Sequence, residues 1–231
     1  MYAEEEKFAQ IQNDLRQKIS LEDSFSADAL KTVAGVDLAY WQEGDTERAV
    51  CCIVVTDAAS GEVIEKKQCD GMIDVPYIPG YLAFRELPLV LKTVGLLENE
   101  PDLFIFDGNG YLHPRHMGIA THAALVMGRP AMGIAKTYFR VDKKTDYTEP
   151  AEDAGSYTDI IIDGEVYGRA LRTHKGVKPV FVSAGSGISL DTACDISLRL
   201  TSKESHIPIP TRLADLETHT ARAALRGGAE E

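Results

Sequence analysis

The stretch "DLFIFDGNG", residues 102–110, restricts the fold more than any other part of the sequence. Leu103, Phe104, Ile105 and Phe106 are apolar without alternation. This predicts a short strand buried on both faces, as occurs where helices cover a sheet on each side. Asp107 closes the run and Asp-Gly opens a turn. A second such run, "AMGIAK" (131–136), follows "HMGIATHAALVMG" (116–128), a predicted helix with Ala120, Ala123, Ala124 and Met127 on one close-packing face. Strand, helix and strand in that order imply a parallel pair.

Upstream, "TVAGVDLAY" (32–40), "AVCCIVVTD" (49–57) and "EVIEKKQCD" (62–70) read as strands separated by the short polar breaks "WQEGDTER" and "AASG", the pattern of an antiparallel meander. Further strands are expected at 159–163, 166–172 and 179–183. Helices are expected at 4–19 (Phe8, Ile11, Leu15 and Ile19 inward), from Pro88 to about Leu97, at 188–200 and at 211–226. The expected fold class is therefore α/β, an antiparallel meander plus parallel strands in one mixed sheet flanked by helices. No linker divides it, so residues 1–231 read as one domain, frayed at 1–7 and 227–231.

The 44% hydrophobic and 26% charged residues fit a soluble globular chain. No apolar run approaches the ~20 residues that span a bilayer. The acidic, amphipathic start "MYAEEEKFAQIQNDL" is unlike a signal peptide, so a cytoplasmic location without membrane association is expected. Cys51, Cys52, Cys69 and Cys194 lack metal-ligand spacing and read as reduced thiols. A net charge of −12 argues against nonspecific coating of nucleic acid, but does not exclude an enzyme that gathers carboxylates around a divalent cation and keeps a small basic rim.

Four acids are candidates. Asp37 interrupts an apolar strand, where a charge is costly unless paired or metal-bound. Asp107 ends a strand at the edge where α/β sheets collect ligands. Glu86, just before Pro88, is expected at a helix N-terminus, and Asp215 in the first turn of the last helix. Each has an ordinary explanation alone; converging on one sheet edge they would form a hard-oxygen site for Mg²⁺. Lys136 ends the neighbouring strand, and His113 and Arg115 lie in the loop past Asp107. His113 and His116 are a poor zinc pair because Pro114 breaks the helical spacing. "SAGSG" (183–187) is a weak candidate for binding phosphate through backbone amides. In "DVPYIPGYLAFRELP" (74–88), three prolines and a glycine exclude one regular element and would hold an exposed Tyr77 as a wedge.

Together "VAGVDLAY", "VPYIPGYLAFRE", "DLFIFDGNGYLHPRHMGIATH", "GIAK" and "IPIPTRLAD" resemble, in order, the signature blocks of the endonuclease V family, from about residue 8 to residue 220. The resemblance implies a ribonuclease H-like fold and a Mg²⁺-dependent endonuclease, with Mn²⁺ as substitute. The implied reaction cuts the second phosphodiester 3′ to deoxyinosine in single- or double-stranded DNA, leaving 3′-hydroxyl and 5′-phosphate ends. It implies Asp37, Asp107, Glu86 and Asp215 as metal ligands and Lys136 beside the scissile phosphate. Tyr77 would be the wedge, and Gly80, Leu82, Gly110, His113 and Arg115 would contact substrate. Ser186 departs from the His or Asn that the resemblance leads one to expect after Gly185, at a position where a phosphate contact is implied, and leaves the acidic site intact. A monomer is expected. Inosine-containing RNA is the rival substrate, and the alternatives are a noncatalytic altered-base binder or another nuclease on the same fold.

Overall fold

The computed structural model describes residues 2–142 and 144–227. The chain runs α1 (Tyr2–Arg16), β1 (Thr32–Glu43), β2 (Thr46–Asp57), β3 (Val63–Met72), α2 (Leu82–Val94) and β4 (Leu103–Asp107). It continues through α3 (Ile119–Met127), β5 (Ala131–Ala135), β6 (Tyr157–Ile162), β7 (Glu165–Leu171), β8 (Val180–Ser186), α4 (Leu190–Arg199) and α5 (Ile209–Gly227). The strands form one mixed sheet in the order β3-β2-β1-β4-β5-β8-β7-β6. The first three make the expected antiparallel meander, and β1, β4 and β5 are parallel neighbours.

Helices cover both faces. Ala34, Val36, Phe104 and Phe106 pack toward Leu87, Val90, Ile119 and Ala123 of α2 and α3. Val33, Leu103, Ile105, Met132 and Ile134 form a second cluster with Ala193 and Ile196 of α4. Trp41, Val50 and Cys52 meet Ala221 of α5. Because strand side chains alternate, Asp37, Asp107 and Lys136 follow the odd or even positions that face α4 and α5. The four cysteines are free thiols, three of them buried.

Several boundaries differ from expectation. The break "WQEGDTER" is mostly strand: Gly44 (φ +60°) and Asp45 make a two-residue turn between Glu43 and Thr46. The first helix is already formed at Tyr2 and stops at Arg16, leaving Ile19 beyond it; residues 228–231 of the expected frayed tail lie outside the described residues. The third helix begins at Ile119 and not at 116, because His116 is left-handed (φ +57°) and Gly118 is extended (ψ 172°), so neither continues a right-handed helix. Pro88 lies in the middle of α2, not its first turn. It is tolerated because it faces solvent, where the carbonyl deprived of its partner can be hydrated. Glu86 is consequently mid-helix, and Asp215 is two turns into α5.

Candidate active site

Asp37 is placed by a missing side chain. A Cβ on Gly35 would fall 2.1 Å from the Pro210 carbonyl, so only glycine lets α5 settle directly on β1. Gly35 and Asp37 point to the same face, so the helix that touches the first passes over the second. About one and a half turns on, Asp215 arrives beside Asp37, and Thr218 donates a hydrogen bond to Asp37 Oδ2 (2.9 Å). Asp107, at the carboxyl end of β4, supplies the third acid. Oxygens of Asp37, Asp107 and Asp215 all lie within 4.8 Å of one another.

Lys136, one residue past β5, is the cation of this edge. Its Nζ is 2.8 Å from Asp107 Oδ2 and 3.6 Å from Asp215 Oδ1. Burial weakens its hold on the proton, but the Asp107 hydrogen bond and the charges of Asp107, Asp215 and Asp37 more than restore it. One ammonium does not balance three carboxylates. Burial and then the Asp107 charge push Asp37 up to about 6, against the smaller opposing effect of the Thr218 hydrogen bond. An all-oxygen anionic cluster with surplus negative charge suits a hard divalent cation such as Mg²⁺ or Mn²⁺.

Glu86 comes from the opposite face, on α2, and lies outside the group of three. It accepts a 2.5 Å hydrogen bond from the Tyr40 hydroxyl. Burial pushes it up to about 7, with the Asp37 and Asp107 charges adding to the effect and the Tyr40 hydrogen bond opposing it. Arg85 lies over the Tyr40 ring (4.5 Å) and bonds Glu47 (2.5 Å) and the Val75 carbonyl (2.8 Å), fixing the start of the proline loop to the sheet.

That loop rims a cavity of about 150 Å³ lined by residues including Tyr77, Gly80, Leu82, Asn109, His113 and Phe139. A cavity of this volume takes an aromatic ring. Tyr77 stands at its mouth, 64% exposed. Further along, the loop is held through a second carbonyl: Gly80 O accepts from Gln12 Nε2 (3.2 Å), His113 Nε2 (3.0 Å) and Arg115 Nη2 (3.0 Å). Gly80 itself has φ +84°, which glycine adopts without strain. His113 Nδ1 accepts from the Arg115 and Met117 amides, which leaves the proton on Nε2. Burial and the Arg115 charge hold His113 down to about 3, so it stays neutral. Arg115 is further fixed by Gln12 Oε1 (2.5 Å) and the Tyr81 ring (4.4 Å).

The structure thus brings Asp37, Asp107, Asp215 and Lys136 together, places Glu86 behind them, and sets Tyr77, Gly80, Leu82 and His113 around the cavity. Gly110 and Arg115 do not line it. Gly110 is packed where a Cβ would meet the Ala184 carbonyl at 2.2 Å, and Arg115 is spent on fixing the loop. "SAGSG" is no phosphate loop: Ser183–Ser186 are buried in β8, and Ser186 pairs with Ala131 at the end of β5 away from Lys136. Its hydroxyl accepts from the Ser20 amide. Gln12, Tyr40 and Thr218 escaped the sequence reading. Thr218 could have been found from its helical spacing to Asp215, whereas nothing local marks Gln12.

Fold and site define an α/β protein with a cation-competent carboxylate centre beside a ring-sized cavity. The family model described as Endonuclease V matches residues 13–216. Endonuclease V of Bacillus subtilis (strain 168) is 55% identical over 218 residues, 94% of this chain and 91% of that protein. A crystal structure of Bacillus subtilis endonuclease V aligns with TM-score 0.93 and 53% identity, covering 97% of this chain and 94% of that one. Endonuclease V of Ciona intestinalis, crystallised with a DNA containing an inosine followed by a ribo-adenosine, aligns with TM-score 0.87 and 28% identity over 97% of this chain and 99% of that one. The chain belongs to the endonuclease V family, and is by that membership a nuclease.

Proposed function

We propose that this protein is a DNA-repair endonuclease that recognises deoxyinosine and hydrolyses the second phosphodiester on its 3′ side, leaving 3′-hydroxyl and 5′-phosphate ends. The observation that carries this reading is the juxtaposition of the Asp37–Asp107–Asp215 cluster and Lys136 with a cavity rimmed by a presented tyrosine. Asp37, Asp107 and Asp215 would hold Mg²⁺ or Mn²⁺, with Glu86 supporting them from the other face. The bound cation supplies Lewis-acid charge at the phosphate.

The chain's own groups do the rest. Thr218 aims Asp37, and Lys136 Nζ stabilises negative charge growing on the phosphate oxygens. Extruding the base costs a few kcal/mol, and less for a weakly paired inosine. The apolar and glycine-lined cavity receives that base while Tyr77 fills the gap it leaves. Neutral His113 keeps the rim closed without adding charge. The protein acts as a cytoplasmic monomer in this reading, and no helix among the described residues is long and apolar enough to cross a membrane.

The test is incubation with matched strands carrying one deoxyinosine or one inosine, single- and double-stranded, with Mg²⁺, followed by analysis of product ends. Cutting at the second bond 3′ to deoxyinosine supports the proposal. A requirement for a ribonucleotide on the 5′ side of the cut bond would make the protein an RNA nuclease instead.

A further inference from the structure

Lys136 borders a second depression, a groove of about 550 Å³ lined by residues including Tyr138, Arg140, Tyr147, Lys178 and Phe181. The segment 137–140 is the wall between the two spaces: Phe139 lines the cavity, whereas Thr137, Tyr138 and Arg140 line the groove. A strand with one base in the cavity and the cut phosphate at Lys136 therefore meets this groove next. Since the proposed cut lies 3′ to the lesion, the groove receives the 3′ side of the strand.

Its chemistry fits a phosphodiester backbone better than a base. Tyr138, Tyr147 and Phe181 pack on one another at 4.9–5.4 Å and form a rigid floor, not free stacking faces. In a chain of net charge −12, three cations (Lys136, Arg140 and Lys178) line this one depression. Its two acids are already engaged, Asp146 by Arg140 and Glu149 by Arg172. Among the described residues no acid lies within ion-pair distance of Lys178. The Arg140–Asp146 pair is exposed on both sides, so solvent screens it and a phosphate can displace the carboxylate.

We propose that this groove binds the sugar-phosphate backbone immediately 3′ of the cut bond, with Arg140 and Lys178 as its phosphate contacts, independent of base sequence. The inference rests on the nuclease reading above.

The experiment compares wild type with the double variant Arg140→Gln, Lys178→Gln on deoxyinosine strands whose 3′ arm beyond the cut is either long or trimmed to one nucleotide, with the 5′ arm constant. Wild type should lose about tenfold in kcat/KM on trimming, mostly through KM, in line with the strength of charge-assisted hydrogen bonds. The variant should show that loss already on the long arm and respond to trimming by less than about twofold. Its salt dependence on single strands should also be shallower, by a log–log slope of roughly 0.7 per lost phosphate contact. Wild type indifferent to the 3′ arm, or a variant as sensitive to trimming as wild type, overturns the groove assignment alone. Wild type that cuts no deoxyinosine strand at all takes the nuclease reading down with it. A melting temperature equal to wild type confirms that the variant is folded, and the variant's own trimmed-arm rate provides the internal reference if it is not.

Discussion

At the carboxylate edge three acids share one lysine, and Asp37 and the buried Glu86 behind it are both held well above the usual carboxylate range. In the adjoining cavity a single carbonyl, Gly80 O, takes three donors, and its histidine is kept neutral. The first region is electrostatically incomplete, whereas the second is closed at its rim by these hydrogen bonds, although Asn109 Oδ1 in its lining lacks a hydrogen-bond partner. The difference suits the tasks proposed for them. A centre that recruits a cation would gain from uncompensated charge, whereas a cavity that selects a neutral base would gain from rigidity and from having no charge to satisfy.

The largest expected effect comes from removing charge at the incomplete edge. Asp107→Asn should lower cleavage at least about a thousandfold with little change in melting temperature, and chelation of divalent cations should do the same to wild type. Near wild-type nicking by this variant would remove the edge from the reaction. Lys136→Met should reduce turnover about a hundredfold while affinity changes much less, if the ammonium acts on developing charge. A loss confined to affinity would make Lys136 a contact for the ground state.

On the closed side, Gln12→Ala should leave the Gly80 carbonyl and the Arg115 guanidinium short of partners. The expected cost is about 1–3 kcal/mol of stability with a raised KM for deoxyinosine strands. An unchanged KM alongside lowered stability would separate the lock from recognition. Tyr77→Ala should weaken binding to a deoxyinosine duplex by about 1–3 kcal/mol and to a single strand by less, because only the duplex needs its gap filled. Equal losses would make Tyr77 a general contact.

The smallest effect tests the electrostatic contrast itself. Asp37 and Glu86 bind protons more tightly folded, at about 6 and about 7, than unfolded, near about 4. Their contribution to stability is therefore complete at about pH 4 and is lost as pH rises through 6 and 7. Metal-free protein should melt a few degrees lower at about pH 8 than at about pH 5.5, and Mg²⁺ should narrow the gap. A profile that Asp37→Asn does not flatten would place the surplus charge elsewhere.

Much of this arrangement could be read from short stretches. The unbroken apolar run before Asp107 required a strand buried on both faces, and the alternation around Asp37 placed an acid within a strand. Both sheet neighbours and helix coverage followed. Helix limits were harder to read: Pro88 looked like a helix start, but its solvent-facing position lets α2 run through it. Reading Pro88 as a start places Glu86 at a helix N-terminus, and a separate expectation that α5 starts at 211 places Asp215 in a first turn.

Residue type and local spacing were enough to specify which acids lie on strands and where the proline loop is rigid. They act over a few residues, through sterics, periodicity and solvation. Which side of the sheet each acid approaches from, and what fixes the loop, arose from contacts between distant segments. Thr218 reaches Asp37 across 181 residues and Gln12 reaches Gly80 across 68. Such pairs exist only after Gly35 has admitted α5 onto β1 and α1 has packed Phe8 against Phe84. No local pattern encodes them, because their energy comes from burial and hydrogen bonding that the unfolded chain does not have.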